Sequence, residues 1–247
     1  MQNVQVDDEW EFYIGKLYSH ILKNLINFKV NLVVEVGVGF RYKIAYALKD
    51  TEFNGTIYIV DINREVLNYV ASKYSEILPN AKVITLECEF CDAYRYLPNQ
   101  VDIFIANHVI DDLILNEYIK MKDDKSIADH KECIFQCWKE LKANKTIQNQ
   151  IIDKTVNDFN NFFQNCKTKL SLLSQYKSNV YLKGCKDLNE IVDQAFTQIK
   201  KLFNCDHENL KQLLQYHPFG KDRRYLGKRL LNNTQNENYW IVGNFRN

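Results

Sequence analysis

The sequence predicts an α/β protein: a doubly wound, mostly parallel seven-stranded sheet with a C-terminal antiparallel hairpin and a helical insertion after the fourth strand. Short apolar runs that end in turn residues recur along the chain, and helical patterns separate the first five of them. Strands that alternate with helices favour a parallel sheet, whereas the last two runs flank an Asn-rich turn. The predicted strands are 32–36, 56–60, 82–86, 101–106, 179–182, 224–231 and 239–245.

The composition is that of one ordinary globular domain covering residues 1–247. The chain is 46% hydrophobic and 26% charged, so it can bury a large core. A net charge of +1 gives no general attraction to DNA or to an anionic membrane, and we expect neither as a partner. The first residues include Asp7, Asp8 and Glu9 instead of a basic and then apolar leader, so the expected location is cytoplasmic.

The seven cysteines do not predict a metal centre. An odd number of cysteines fits free thiols in a reducing compartment. Cys88 with Cys91, and Cys133 with Cys137, have spacings that zinc ligands use. The second pair lies one helical turn apart beside an aromatic residue, Trp138, which favours a packed helix face over a zinc site, so we predict no metal.

The end of the first strand is the most informative segment. A β-branched run leads to Glu35 and then to Gly37 and Gly39, which allow a tight turn and a close approach of the backbone to a ligand. The glycine fingerprint of dinucleotide-binding domains would need a third glycine at position 42, where this chain has Tyr42. The spacing therefore disfavours a dehydrogenase.

This turn resembles the first motif of the class I S-adenosylmethionine (SAM)-dependent methyltransferases, an acidic residue followed by G-x-G-x-G. Glu35, Gly37 and Gly39 match its first three positions, and Arg41 replaces the last glycine. The resemblance extends over residues 30–115. It implies a Rossmann-like fold, SAM as the cofactor and a transferase activity.

Polar residues at the ends of later strands extend the candidate cofactor site. Asp61 follows the second strand about 20 residues after the glycine turn, where an acidic residue accepts hydrogen bonds from ribose hydroxyls. The resemblance adds Ile62 beside it, places Asp92 and Ala93 near the adenine, and places Asn107 at the end of the fourth strand.

The segment 107–112 is the candidate active site. The resemblance implies that residues after the fourth strand face both the SAM sulfonium and the methyl acceptor. His108 could act as a general base because its ordinary pKa is near neutral, and Asp111 or Asp112 could orient it or bind a cationic acceptor. The two aspartates would also suit the start of a helix, which is an alternative structural role.

Two helical regions flank this core. Residues 1–30 form an N-terminal helical segment, because apolar residues recur at helical spacing from position 8 to 28. Residues of about 117–176 have a helical pattern that is longer than the single helix needed to connect two parallel strands. The surplus predicts a helical lid over the acceptor. The same insertion could instead serve a homodimer.

The sequence thus predicts a SAM-dependent methyltransferase that acts on a small molecule or a peptide. Two alternatives remain open. One is transfer of the aminocarboxypropyl arm of SAM, as in nicotianamine-synthase-like enzymes. The other is a non-catalytic module that binds SAM or a nucleotide.

Overall fold

The computed structural model describes residues 8–122, 131–175, 186–216 and 236–246, and these form a seven-stranded sheet. The strand order is β3-β2-β1-β4-β5-β7-β6. Strands β1 to β5 run parallel, and β7 is antiparallel to its two neighbours, β5 and β6. In chain order the strands are Leu32–Val36, Thr56–Asp61, Lys82–Glu87, Gln100–Asn107, Lys167–Ser174, Phe203–Cys205 and Trp240–Phe245.

Helices cover both faces of this sheet. One face carries α1, α2, α3 and α9, and the other carries α4, α5, α6, α7 and α8. Their bounds, from α1 to α9, are Asp8–Leu25, Lys43–Asp50, Arg64–Ile77, Phe90–Ala93, Ile110–Lys122, Lys131–Ala143, Lys145–Asn165, Lys186–Lys200 and His207–Leu213. The predicted doubly wound, mostly parallel seven-stranded sheet is confirmed, and its antiparallel C-terminal pair consists of β6 and β7.

Successive side chains of the central strands point to opposite faces of the sheet and so contribute to the hydrophobic core on each face. In β1, Val34 and Val36 pack toward α5 and α7, whereas Val33 packs toward α1 and α2. Because a strand that is buried on both faces needs no polar face, its sequence is a nearly continuous apolar run.

The position of the fifth strand was predicted wrongly. Strand β5 is Lys167–Ser174, inside the segment that the sequence assigned to helices, and 179–182 lies outside the described residues. Its last five residues are all buried between β4 and β7, so tertiary pairing outweighs the weak strand propensity of Leu, Ser and Lys. The three-residue strand β6 was missed, and the predicted strand 224–231 also lies outside the described residues.

Helix α7 belongs to the core layer of the sheet. Phe159, Phe162 and Phe163 are fully buried, and Phe162 packs against Phe90 and Phe104 with ring centroids 5.1 and 4.9 Å apart. Helix α6 contacts α5, α7 and α8 and contributes Cys137, Trp138 and Leu141 to the same core. The lid and the dimer interface stay predictions.

Within the described ranges, no helix combines the length and the apolar character that crossing a membrane requires.

Candidate functional site

The candidate site lies beyond the carboxyl ends of β1 and β4, where the strand order reverses. Ligands in open α/β sheets bind in the crevice at such a point. The turns after these two strands touch: a Cβ added to Gly37 would overlap Cγ2 of Val109 and come within 3.1 Å of its Cβ. Gly37 also has a φ of +61°, which favours glycine. Glycine is therefore needed here for packing as well as for the turn.

Gly39 differs from Gly37 because its Cβ direction is open. It has a φ of +52°, and no atom lies within 4 Å of the position that a Cβ would occupy. Its N–H donates to Oδ2 of Asp61 at 3.2 Å. The backbone at Gly39 and the carboxylate of Asp61 thus border the same open space.

Asp61 is fixed at the end of β2 by backbone donors. Besides the bond from Gly39, Oδ1 accepts from the N–H of Asn63 at 3.0 Å. Burial raises the pKa of Asp61, and the backbone hydrogen bonds partly oppose that rise. A half-buried, positioned carboxylate of this kind can accept hydrogen bonds from a ligand's hydroxyl groups.

Three further predicted cofactor residues surround that space or support it. Ile62 is 55% exposed directly after Asp61, so an apolar side chain is available to a flat ligand. Asp92 is half-buried and pairs with Arg95 at 3.2 Å. Ala93 is fully buried in the core, backbone included, so its predicted contact with a ligand stays a prediction.

Glu35 turns into the protein. Its side chain is buried, and it accepts a hydrogen bond from the hydroxyl of Tyr74 on α3. Burial raises the pKa of Glu35 to about 7, while the bond from Tyr74 and the charge of Lys43 oppose the rise. Glu35 therefore has a partner beneath the glycine turn, and its cofactor contact stays a prediction.

Glu11 on α1 holds the start of α2 and was not found from the sequence. It is fully buried, and Oε2 accepts from the N–H groups of Tyr42 at 2.7 Å and Lys43 at 2.8 Å. Oε1 pairs with Arg41 at 3.1 Å. Glu11 thus caps α2 from another helix, and the residue that replaces the third glycine is bound to it.

Asn107 ends β4 and is held from two sides. Its Oδ1 accepts from the hydroxyl of Tyr18 on α1 at 2.6 Å and from the hydroxyl of Ser174 on β5 at 2.9 Å. These bonds fix the amide at the edge of the crevice.

His108 follows in a left-handed conformation, with a φ of +59°. Non-glycine residues in this region carry strain that often marks a functional site. Its N–H donates to the carbonyl of Ser174 at 2.7 Å, so pairing with β5 enforces the conformation. Its side chain is 37% exposed, and Nε2 lies 3.7 Å from Oδ2 of Asp111.

Gln175, directly after β5, organises this turn and was also missed by sequence reasoning. It is 4% exposed. Its Oε1 accepts from the N–H of Ile110 at 3.0 Å, and its Nε2 lies 2.9 Å from Nδ1 of His108 and 3.2 Å from Oδ1 of Asp111. The sequence assigned this residue to a helix, and nothing in its spacing pointed to His108.

Asp112 completes a group of carboxylates at the crevice. Asp112 is exposed, and desolvation by the neighbouring protein atoms, together with the charges of Asp111 and Asp61, raises its pKa to about 7. Asp61 and Asp111 thus lie near enough to Asp112 for their charges to act on it, and the roles predicted for the three stay predictions. Among the residues that the structure describes, no three His, Cys, Asp or Glu side chains, these carboxylates included, are arranged so that they could hold a metal ion.

Comparison with known proteins adds only remote similarities. No protein-family model matches the chain, and no curated protein sequence matches it. A SAM-dependent methyltransferase from Aquifex aeolicus is 14% identical, with 78% of this chain and 85% of that chain covered and a TM-score of 0.43. The magnesium protoporphyrin IX methyltransferase ChlM from Synechocystis PCC 6803, solved with S-adenosylhomocysteine (SAH), is 11% identical, with coverages of 82% and 80% and a TM-score of 0.44.

The bifunctional kinase-methyltransferase WbdD is 12% identical over 73% of this chain, with a TM-score of 0.40. This chain spans about a third of the length of WbdD. The class of fold follows from the sheet itself: five parallel strands in the order 3-2-1-4-5, with an antiparallel β7 between β5 and β6, form a doubly wound, Rossmann-like α/β sheet.

Proposed function

We propose that this protein is a SAM-dependent transferase that moves a methyl group to a small molecule or a peptide. The observation that carries the proposal is the pairing of Asp61 with Gly39. The carboxylate lies 3.2 Å from the Gly39 N–H, and the Cβ direction of that glycine is open. A nucleoside can occupy this space with its ribose hydroxyls on Asp61.

The neighbouring residues fit the rest of such a ligand. The exposed side chain of Ile62 offers an apolar wall to the adenine, and Asp92 lies on α4, the short helix that follows the next strand. Asn107, fixed by two hydrogen bonds, stands where the methionine end of SAM would lie.

The start of α2 argues against a dinucleotide. In dinucleotide-binding domains the pyrophosphate binds the free N–H groups at the helix that follows the glycine turn. Here the N–H groups of Tyr42 and Lys43 donate to Glu11, so a pyrophosphate would meet a buried carboxylate there. SAM carries no phosphate and does not need that position.

Charge at the crevice also favours SAM. The two groups that raise the pKa of Asp112 by their charge, Asp111 and Asp61, are both carboxylates. A ligand with a sulfonium and an ammonium group gains favourable Coulomb energy in such a field, whereas an anionic ligand is repelled.

The acceptor would approach the segment that begins at His108. Methyl transfer is an in-line displacement, in which the attacking atom, the methyl carbon and the departing sulfur are aligned, so positioning supplies most of the catalysis. His108 is held in one conformation at the mouth of the crevice, and Asp111 and Asp112 follow on the first turn of α5.

Calorimetric titration of the purified chain with SAM, SAH and NAD tests the cofactor. We expect SAM and SAH to bind and NAD not to bind. Asp61→Asn should weaken SAM binding about tenfold or more, since it removes a charge-assisted acceptor. Glu87→Gln is the matched control, because Glu87 pairs with Asp61 in the sheet register but its carboxylate binds the exposed Arg64. Binding of NAD alone would refute the proposal.

The reaction is tested by mass spectrometry of candidate small molecules and peptides after incubation with SAM. A methylated product supports methyl transfer, and a product heavier by an aminocarboxypropyl group would show that the other arm is transferred. SAM binding without any product under these conditions would favour a binding module.

A further inference from the structure

The amide of Gln175 has only one chemically consistent orientation. The N–H of Ile110 is a donor, so the atom 3.0 Å from it must be the carbonyl oxygen, Oε1. The opposite side of the amide lies 3.2 Å from Oδ1 of Asp111, a carboxylate oxygen that can only accept. Both contacts place Nε2 of Gln175 toward His108.

This orientation determines the tautomer of His108. The Nε2 group of Gln175 can only donate hydrogen bonds, so Nδ1 of His108, 2.9 Å away, must be the acceptor. A neutral imidazole carries one N–H, and that hydrogen is then on Nε2. Gln175 thus selects the form of the ring in which Nε2 donates a hydrogen bond.

We propose that Gln175 is a positioning residue that keeps His108 as a hydrogen-bond donor, so that His108 binds an acceptor atom of the substrate other than the attacking one and does not remove a proton from the attacking atom. The part of the proposal that concerns the acceptor rests on the proposed transferase function. The tautomer itself is a property of the protein alone.

Hydrogen bonds fix the backbone of both residues. Gln175 is buried, and its own N–H donates to the carbonyl of Tyr239 at 3.0 Å. His108 is held to β5 through the carbonyl of Ser174 at 2.7 Å. Since β4 and β5 are hydrogen-bonded neighbours, the two residues are fixed on adjoining strand ends. A preorganised donor of this kind loses little freedom when a substrate binds.

The acceptor class follows from this role. The attacking atom must bring its own lone pair, as a neutral amine nitrogen does. In the transfer, the nitrogen lone pair forms the new N–C bond, the S–CH₃ bond breaks and sulfur keeps its electron pair. The positive charge passes from sulfur to nitrogen, and the extra proton on nitrogen leaves afterwards to water. No step requires His108 as a base.

The ring nitrogens of His108 report the tautomer directly. We propose ¹⁵N NMR of the uniformly labelled full-length protein without ligand, at a pH at which its histidines are neutral. The chain has five histidines, and His108→Asn assigns the signals, because asparagine tolerates the left-handed backbone. The expected spectrum shows a protonated Nε2 and an unprotonated Nδ1. A protonated Nδ1 in the wild type would overturn the proposal.

Gln175→Glu is the decisive variant. A carboxylate in place of the amide can only accept, so Nδ1 should become protonated and the tautomer should reverse. Gln175→Met keeps the size without the amide and should leave a mixture of the two tautomers. Circular dichroism establishes that each variant is folded. A folded Gln175→Glu protein that retains the wild-type tautomer would show that Gln175 does not set it.

Gln148→Glu is the matched control. Gln148 is a glutamine that is 1% exposed on α7, and its amide donates to the backbone carbonyls of Leu141 and Lys142. It should alter stability and leave the His108 signals unchanged; a tautomer reversal in this variant would also overturn the assignment to Gln175.

The NMR result and the SAM titration separate the two proposals. Failure of SAM to bind would refute the transferase function and leave the tautomer result standing. An Nδ1-protonated wild type that binds SAM would refute the role of Gln175 and leave the transferase function standing.

Discussion

Two glycines of the same turn should fail in different ways when each is changed to alanine. Both have a positive φ, +61° at Gly37 and +52° at Gly39, so alanine is strained at either position. Only at Gly37 would the new Cβ overlap a neighbour, Val109, which is 6% exposed. Gly39 faces open space.

The magnitudes follow from these differences. A left-handed conformation costs a non-glycine residue about 1–2 kcal/mol, and overpacking a tight contact adds about 1–3 kcal/mol. Gly37→Ala should therefore lower the free energy of unfolding by about 2–5 kcal/mol, and Gly39→Ala by about 1–2 kcal/mol. For SAM affinity the order reverses: the methyl group at Gly39 enters the proposed ligand space and should weaken binding about tenfold or more.

Urea unfolding followed by circular dichroism and calorimetric titration with SAM measure the two effects separately. Val109→Ala, combined with Gly37→Ala in a double-mutant cycle, removes the overlapping methyl groups and should recover part of the loss. Equal losses of stability and of affinity in the two single variants would refute the reasoning. Normal SAM affinity in Gly39→Ala would show that the ligand does not lie on the open side of the turn.

Three further predictions concern carboxylates. Glu11→Ala leaves the two buried N–H groups at the start of α2 without their acceptor and should cost about 2–5 kcal/mol of unfolding free energy in urea, whereas Glu76→Ala, which removes an exposed ion pair, should cost less than about 1 kcal/mol. An equal cost would contradict the capping role. The pKa of Glu35 is raised from 4.5 to about 7, so the stability that neutral Glu35 contributes is present at pH 4 and is lost as the pH rises through 7. Between pH 4 and pH 8 the unfolding free energy of Glu35→Gln should therefore rise by about 3 kcal/mol relative to that of the wild type. If the two proteins had the same pH dependence of stability, the raised pKa would be refuted. The pKa of Asp112 is also raised to about 7, so the SAM affinity measured by calorimetry should rise with pH through 7 as this carboxylate ionises near the sulfonium. Neither SAH binding to the wild type nor SAM binding to Asp112→Asn should show this rise. The same pH dependence of SAM affinity in Asp112→Asn would exclude Asp112 as the cause.

The first four strands were predictable because each carries its own signal. Strands β1 and β4 are buried on both faces and read as apolar runs, and β2 ends in the polar residue, Asp61, that the ligand hypothesis needed. Strand β5 lacked such a signal: its sequence, KTKLSLLS, has a single β-branched residue, and only its pairing with β4 and β7 makes it a strand.

Some residues of the candidate site were likewise predictable from the sequence, and others were not. The glycine turn, Asp61 and the segment from Asn107 to Asp112 follow strands in sequence, and parallel strands carry them to one edge of the sheet. Glu11 and Gln175 act on residues 31 and 65 positions away, on other elements. No periodicity or spacing in a single sequence reports contacts of that range, so these two residues became visible only in the folded chain.

The exception in the glycine motif has a physical explanation in α1. At position 41, where the motif that this turn resembles has a glycine, the arginine side chain pairs with Glu11 and is 41% exposed, while the Glu11 carboxylate is fully buried. A buried carboxylate needs compensating donors, and Glu11 obtains them from Arg41 and from the first N–H groups of α2. Helix α1 also binds Asn107 through the hydroxyl of Tyr18. The departure from the motif is therefore one end of a connection through which α1 fixes the turn after β1 and the end of β4 relative to each other, on the two sides of the crevice.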